Sequence, residues 1–372
     1  MRRIPVCEPL LAGRELKYVT HALKSGWISS SGSYVAEFEK RFAKFCGVKY
    51  AAAASSGTAA LHLALVGAGI GKKDEVIIPN FTMAASAFAV CYTGAMPVFV
   101  DAEADTWNID PARIEEKISP KTRALMAVPI FAHPCEMDAL RAIAKKHRLL
   151  LIEDAAEAHG SLYKGKKAGT LADITAFSFY ANKNLTTGEG GMVVTNNAKF
   201  HEKSVYFRNM CFPVNGPRRY VHEDIGFNYR MTNLTAALGL AQTEKADFYV
   251  RRRSQNAALY RRYLSGIPGV ILQKKREEVF QPTWMNGVTV DKEYFGRSRD
   301  ELAAHLEKKG IETRVFFAGM HRQPSLKKYG CDVNGNYPVS DFLWQNGLYL
   351  PSSSSLREKE IRLICQTIGR FR

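Results

Sequence analysis

The chain has 372 residues, 46% hydrophobic and 24% charged, with 52 Lys and Arg against 36 Asp and Glu, a formal net charge of +16. This is enough for a large core and two domains, and no stretch reaches the ~18 uninterrupted apolar residues of a membrane span. Seven scattered cysteines without a Cys-x-x-Cys pair argue against a zinc site or a disulfide framework, and residues 1–6 lack the apolar core of a secretion signal, so a cytoplasmic protein with no metal is expected.

Between about residues 50 and 200, short apolar runs alternate with stretches of helical spacing. That is the pattern of a mainly parallel sheet covered by helices. Strands are predicted at 50–54, 75–78, 97–101, 124–131, 149–154, 174–180 and 192–195, with helices at 58–66, 84–92, 111–118 and 137–147. Beyond residue 233 the rhythm changes. A long amphipathic stretch at 234–264 leads into a second unit of strand (279–290), helix (299–309), strand (313–317) and final helix (356–371). Two capping boxes are predicted, Ser298 with Glu301 and Ser355 with Glu358. The boundary is placed between 1–245 and 246–372.

Three motifs carry chemistry. Ser55-Ser56-Gly57-Thr58-Ala59-Ala60-Leu61 sets Gly and Thr where a strand meets a helix N-terminus, whose free N–H groups and positive end suit a phosphate. Glu153-Asp154-Ala155-Ala156-Glu157 closes an apolar strand on carboxylates. Lys183 follows another strand-like run and precedes Thr187-Gly188-Glu189-Gly190-Gly191, twenty-nine residues after Asp154. Taken singly, these fit an ordinary turn, a helix cap and a solvated lysine. Together, a lysine amine and an Asp at strand ends suit pyridoxal phosphate (PLP), the lysine binding its aldehyde and the carboxylate facing its ring nitrogen.

With these motifs, and with Ser25-Gly26-Trp27-Ile28-Ser29-Ser30, Pro79-Asn80-Phe81-Thr82 and Asn228-Tyr229-Arg230-Met231-Thr232-Asn233, the chain resembles the DegT/StrS family of nucleotide-sugar aminotransferases nearly end to end. The resemblance implies a fold type I α/β architecture. A large αβα domain with a seven-stranded, mainly parallel sheet would be joined to a smaller C-terminal α/β domain. It implies that Lys183 carries the cofactor and moves protons, that Asp154 pairs with the ring nitrogen, and that Glu157 lies near the ring oxygen. Gly57, Thr58 and Ser178 would bind the phosphate, and Asn228 would reach the phosphate of a neighbouring subunit in a homodimer. Met83 stands where many relatives place an aromatic residue over the ring, and Ala132 where they usually have Gly. Trp27, Ser29, Arg314 and His321 are the candidate lining for a nucleotide sugar, Arg314 for its pyrophosphate.

The implied reaction moves an amino group from L-glutamate to a nucleotide-linked keto sugar. Resemblance within the family points to a GDP-linked 4-keto-6-deoxy sugar aminated at C4; UDP- and dTDP-linked sugars are the alternatives. A regulatory protein that kept the fold is the rival outside catalysis, and the intact Lys183, Asp154 and Glu157 weigh against it. The basic residues are dispersed except at 251–253, with no nucleic-acid motif beside them. The charge suits an anionic nucleotide diphosphate better than a nucleic acid.

Overall fold

The structure is a computed structural model and describes residues 3–212 and 220–372; Met1 and Arg2, at the head of the stretch read for a secretion signal, lie outside them. Its centre is a seven-stranded sheet. The strands are β1 (Tyr50–Ala54), β2 (Glu75–Pro79), β3 (Met96–Val100), β4 (Thr122–Ala127), β5 (Leu150–Asp154), β6 (Ile174–Ser178) and β7 (Gly191–Thr195). Their spatial order is β1-β7-β6-β5-β4-β2-β3. Only β7 runs against its two neighbours; the others are parallel.

Each strand feeds two cores because successive side chains point to opposite faces. In β1, Ala52 and Ala54 join one apolar cluster while Ala51 and Ala53 join another. The alanines keep that surface flat, so α3 (Gly57–Gly67) lies close on the sheet with residues 59–65 all buried. On the other face, α1 (Glu15–Lys24) and α2 (Ser33–Cys46) pack with α7 (Asn233–Glu244). Helix α4 (Ala84–Tyr92) follows β2, α5 (Met137–His147) leads into β5, and α6 (Ala198–Arg208) follows β7.

The predicted strands correspond to these seven within a few residues, and the predicted helices at 84–92 and 137–147 coincide with α4 and α5. Several expectations are corrected. The stretch at 111–118 is two 3-10 turns, Pro111–Arg113 and Glu115–Lys117, the first capped by the Asp110 carboxylate. The stretch at 234–264 is broken at Lys245 into α7 and α8 (Ala246–Leu264). The strand at 279–290 is two pieces. Val279–Phe280 pairs with Leu162–Tyr163, while Asn286–Val290 belongs to a different sheet. Pro282 lies between them and has no N–H to continue a ladder. The strand at 313–317 shrinks to Arg314–Val315.

The C-terminal unit holds a four-stranded sheet of β8 (Val270–Leu272), β9 (Asn286–Val290), β10 (Arg314–Val315) and β11 (Gly347–Leu350), in the order β8-β9-β11-β10. Helices α9 (Arg299–Lys308) and α10 (Glu358–Gly369) pack with α8 and this sheet. The Ser298–Glu301 capping box is present. The one at Ser355 is not: Ser355 Oγ donates to Glu8, and Glu360 accepts the Arg357 N–H at the start of α10. The head of the chain docks here too. Ile4 N–H donates to Gly310 O at 2.8 Å, Glu312 N–H to Ile4 O at 2.9 Å, and Ser352 N–H to Val6 O at 2.7 Å. We propose the division at 245/246 as the domain boundary, with Ile4–Val6 reaching across it.

Glu153 precedes Asp154 on β5 but points to the other face. It is fully buried, accepts the Gly169 N–H at 2.9 Å and the Thr175 hydroxyl at 3.2 Å, and its Oε1 has no partner among the described residues. Burial pushes its pKa up to about 7. A carboxyl whose folded pKa lies above its unfolded one favours folding below the unfolded value, and that contribution is lost as pH rises to about 7. Glu153→Gln, neutral throughout, is expected to flatten this decline. At pH 5 its denaturation midpoint should be close to wild type, and at pH 8 it should gain about 1–3 kcal/mol, from 1.36 kcal/mol per pKa unit. Urea titrations at the two pH values decide it; parallel pH dependences for both proteins refute it.

Candidate active site

In an open α/β sheet the carboxyl ends of parallel strands face a crevice where ligands bind. Here the ends of β1, β2, β5 and β6 open onto a cavity of about 420 Å³. Eight of the predicted site residues line it: Gly57, Thr58, Met83, Asp154, Glu157, Ser178, Lys183 and Arg314.

Helix α3 starts at this edge. Ser56 caps it, accepting the Ala59 N–H at 3.1 Å. The N–H groups of Gly57 and Thr58 then have no acceptor within the helix and stand at its positive end. A Cβ on Gly57 would lie 2.5 Å from Ser178 Cβ, and one on Gly191 would lie 2.1 Å from Ser56 O. Both glycines are therefore needed for the helix start to abut the ends of β6 and β7.

Asp154 is buried at the end of β5. Ser86 donates its hydroxyl to Oδ2 at 2.7 Å and Ala156 its N–H to Oδ1 at 3.2 Å. Burial raises its pKa, while these two bonds and the charge of Lys183 oppose the rise. Glu157 is also buried and accepts the Phe131 N–H at 2.7 Å. Burial takes it to about 7, with Lys183 opposing. Phe131 and Ala132 have φ of +54° and +70°, the left-handed region where Gly costs least. That is the physical reason Gly suits position 132, and Ala132 adopts the conformation regardless.

Lys183 stands in a turn closed by its own N–H on Tyr180 O at 2.9 Å. Its Nζ lies 3.7 Å from the centre of the Trp284 ring. Loss of water lowers its pKa, and the carboxylates of Glu157 and Asp154 pull the other way. The net is a more nucleophilic amine than an exposed lysine, between two buried acids.

The remaining predicted residues lie elsewhere. Trp27 is 61% exposed and Ser29 is exposed; their carbonyls accept the Asn233 side-chain and backbone N–H at 2.6 and 2.8 Å. Asn228 is exposed, with Oδ1 accepting from Arg230 Nε at 3.0 Å. None of the three lines this chain's cavity. His321 is not in the lining either. Its Nδ1 lies 2.9 Å from Asn80 Nδ2 and its Nε2 3.3 Å from Asp341, with the ring against Tyr337. Both nitrogens are occupied, so His321 ties the C-terminal unit to the β2–α4 connection. Sequence reasoning missed Asn182, Trp284 and Tyr349 in the lining. Asn182 was adjacent to the motif, but nothing in the spacing marked the two aromatics.

A lysine amine flanked by two buried carboxylates at the strand ends of such a sheet defines a fold type I aminotransferase. The chain belongs to the DegT/DnrJ/EryC1/StrS aminotransferase family, whose profile matches residues 9–369. It is 43% identical over 372 residues to the GDP-perosamine synthase of Escherichia coli O157:H7, covering 100% of this chain and 99% of that protein. It is 40% identical to the Vibrio cholerae GDP-perosamine synthase, covering 99% of each. The fold matches the crystal structure of DesV from S. venezuelae with a TM-score of 0.92 at 34% identity, covering 100% of this chain and 99% of that one.

Proposed function

We propose that the protein is a PLP-dependent aminotransferase that takes the amino group of L-glutamate and places it on C4 of GDP-4-keto-6-deoxymannose, giving GDP-perosamine for a surface polysaccharide such as O-antigen. The observation that carries this reading is the Lys183 amine, set in the same cavity as Asp154 and Glu157.

The residues present fit the cofactor. Unpaired N–H groups at Gly57 and Thr58, with the Ser178 hydroxyl against them, suit its phosphate. Asp154, anchored by Ser86 and Ala156, suits a protonated ring nitrogen, Glu157 suits the ring oxygen, and Met83 at the start of α4 offers a thioether to one ring face. Bound there through Lys183, the cofactor supplies an electron sink for the bonding pair of a breaking C–H bond.

Lys183 does the proton work. Its lowered pKa leaves more of the amine uncharged than on an exposed lysine, and Nζ takes the proton from the α-carbon of glutamate. In the second half of the cycle the same nitrogen returns a proton to C4 of the sugar. Arg314, at the cavity rim, presents a guanidinium to the pyrophosphate, and the net charge of +16 draws the anionic substrate inward. Trp27, Ser29 and Asn228 are exposed and outside the lining of this chain's cavity. We assign them to the site of a second subunit in a homodimer.

With L-glutamate as donor, GDP-, UDP- and dTDP-linked 4-keto-6-deoxy sugars separate the readings. The expected result is 2-oxoglutarate release with a kcat/KM for the GDP sugar at least about tenfold above the others, the equivalent of about 1.4 kcal/mol of discrimination. Preference for a UDP or dTDP sugar overturns the base assignment. A protein whose visible absorbance glutamate does not bleach overturns the transaminase reading itself.

A further inference from the structure

Nζ of Lys183 forms no hydrogen bond or ion pair among the described residues, and it lies over the face of Trp284, 3.7 Å from the ring centre. The ring is 6% exposed and packs against Phe131 and Tyr349, with ring centres 6.5 and 6.2 Å away. Its Nε1–H donates to Asn182 O at 3.0 Å, so the indole is fixed to the turn that bears the lysine. A second tie runs through Arg253 of α8. This fully buried guanidinium donates to Trp284 O at 2.8 Å, to Ser354 Oγ at 2.9 Å and to Asn182 O at 3.4 Å. It forms no ion pair with a carboxylate among the described residues. Its charge is spent on backbone carbonyls that hold the tryptophan and the lysine turn in one arrangement.

An ammonium in a cavity wall with no hydrogen-bond partner among the described residues is held in place by a source of negative potential, and the face of an indole is the best of the aromatic faces. We propose that Trp284 is a positioning residue for Lys183. Its ring holds the ammonium whenever the amine is not joined to the cofactor, returning Nζ to one place and keeping a fraction of it protonated between transfers. The cofactor clause rests on the reading under Proposed function; the contact between ring and ammonium does not. Other charged or titratable groups around Lys183 are Asp154 at the end of β5 and Glu157 after it, His159 beyond them, Cys7 from residues 4–7, Arg253 through Asn182, Tyr349 from β11, and Tyr180, Glu189 and Arg314 in the same cavity wall. None of them is altered in the test.

The test is the titration of Lys183 in cofactor-free protein. Acylation by trace acetic anhydride is followed at the peptide containing residue 183 by mass spectrometry across pH 6–11. In Trp284→Leu the apparent pKa of Lys183 is expected to fall by at least about half a unit, the loss of one cation–π contact. Trp284→Phe keeps a weaker face and loses the bond to Asn182; it is expected to fall between Leu and wild type. An unchanged or raised pKa in Trp284→Leu overturns the proposal, and so does a Phe variant shifted as far as Leu, which would assign the effect to the indole N–H. Should the Leu variant fail to fold, Trp284→Met, apolar and without an aromatic face, takes its place under the same criteria. Absorbance of wild type with added PLP is read separately, so failure of the functional reading shows there and failure of the Trp284 proposal shows only in the titration.

Discussion

Lys183→Ala stops transamination, with turnover reduced by more than about 10⁴-fold. Loss of one acid–base group alone costs about 10²–10⁴-fold, and in the proposed mechanism the same amine also forms the covalent link to the cofactor. Nothing nearby can substitute. Asp154 and Glu157 are carboxyls engaged by Ser86, Ala156 and Phe131, and the Arg253 guanidinium is locked on carbonyls and cannot deprotonate. The fold is expected to survive, because Lys183 adds no hydrogen bond to the core from its side chain. Steady-state release of 2-oxoglutarate from glutamate and a keto sugar measures the loss. Turnover within tenfold of wild type would remove Lys183 from the mechanism.

Asp154→Asn lowers kcat by about 10²–10⁴-fold while leaving the cavity's shape intact. The Asn oxygen can still accept the Ala156 N–H and its NH2 can donate to the Ser86 hydroxyl oxygen, so the main loss is the charge. A buried positive group deprived of its partner is destabilised by about 3–5 kcal/mol, or roughly two to four decades of rate. A second effect has a fixed sign. Asp154 raises the pKa of Lys183 through its charge, so the variant's lysine titrates lower. The limb of the kcat–pH profile that reports the amine should shift to lower pH. A variant with wild-type kcat and an unmoved profile would show that the carboxylate has no part in holding the ring cationic.

The parts of the fold legible in sequence are those where one local rule acts alone. The seven strands were visible because each is a short apolar run between breakers, and α4 and α5 because their apolar residues recur at helical spacing. The errors arose where two rules met. The 279–290 stretch reads as one apolar strand, yet Pro282 divides it between two sheets. The stretch 234–264 keeps helical spacing through Lys245, where the backbone turns with no Gly or Pro to announce it. Helices α1 and α2 were not predicted at all, although their burial against α7 is plain in three dimensions.

The site divides along the same line. Gly57, Asp154, Glu157, Ser178 and Lys183 sit at strand ends, and strand ends are legible. Trp284 comes from the far unit of the chain, a hundred and one residues beyond Lys183, and its meeting with the amine is set by how β9 docks, not by any spacing. His321 shows the converse. Its motif context suggested a ligand contact, while packing gave it Asn80 and Asp341.

The docking of Ile4–Val6 on residues 310–312 and 352 has a consequence for biosynthesis. Residues 4–6 find these partners only after residues 310–352, more than three hundred positions further on, have been made. Val6 is part of the cavity wall, so a nascent chain that has already formed the seven-stranded sheet still carries an open pocket. Closing that loop of more than three hundred residues is an entropically costly, late event. The pocket is thereby finished only in polypeptides that already include residue 352.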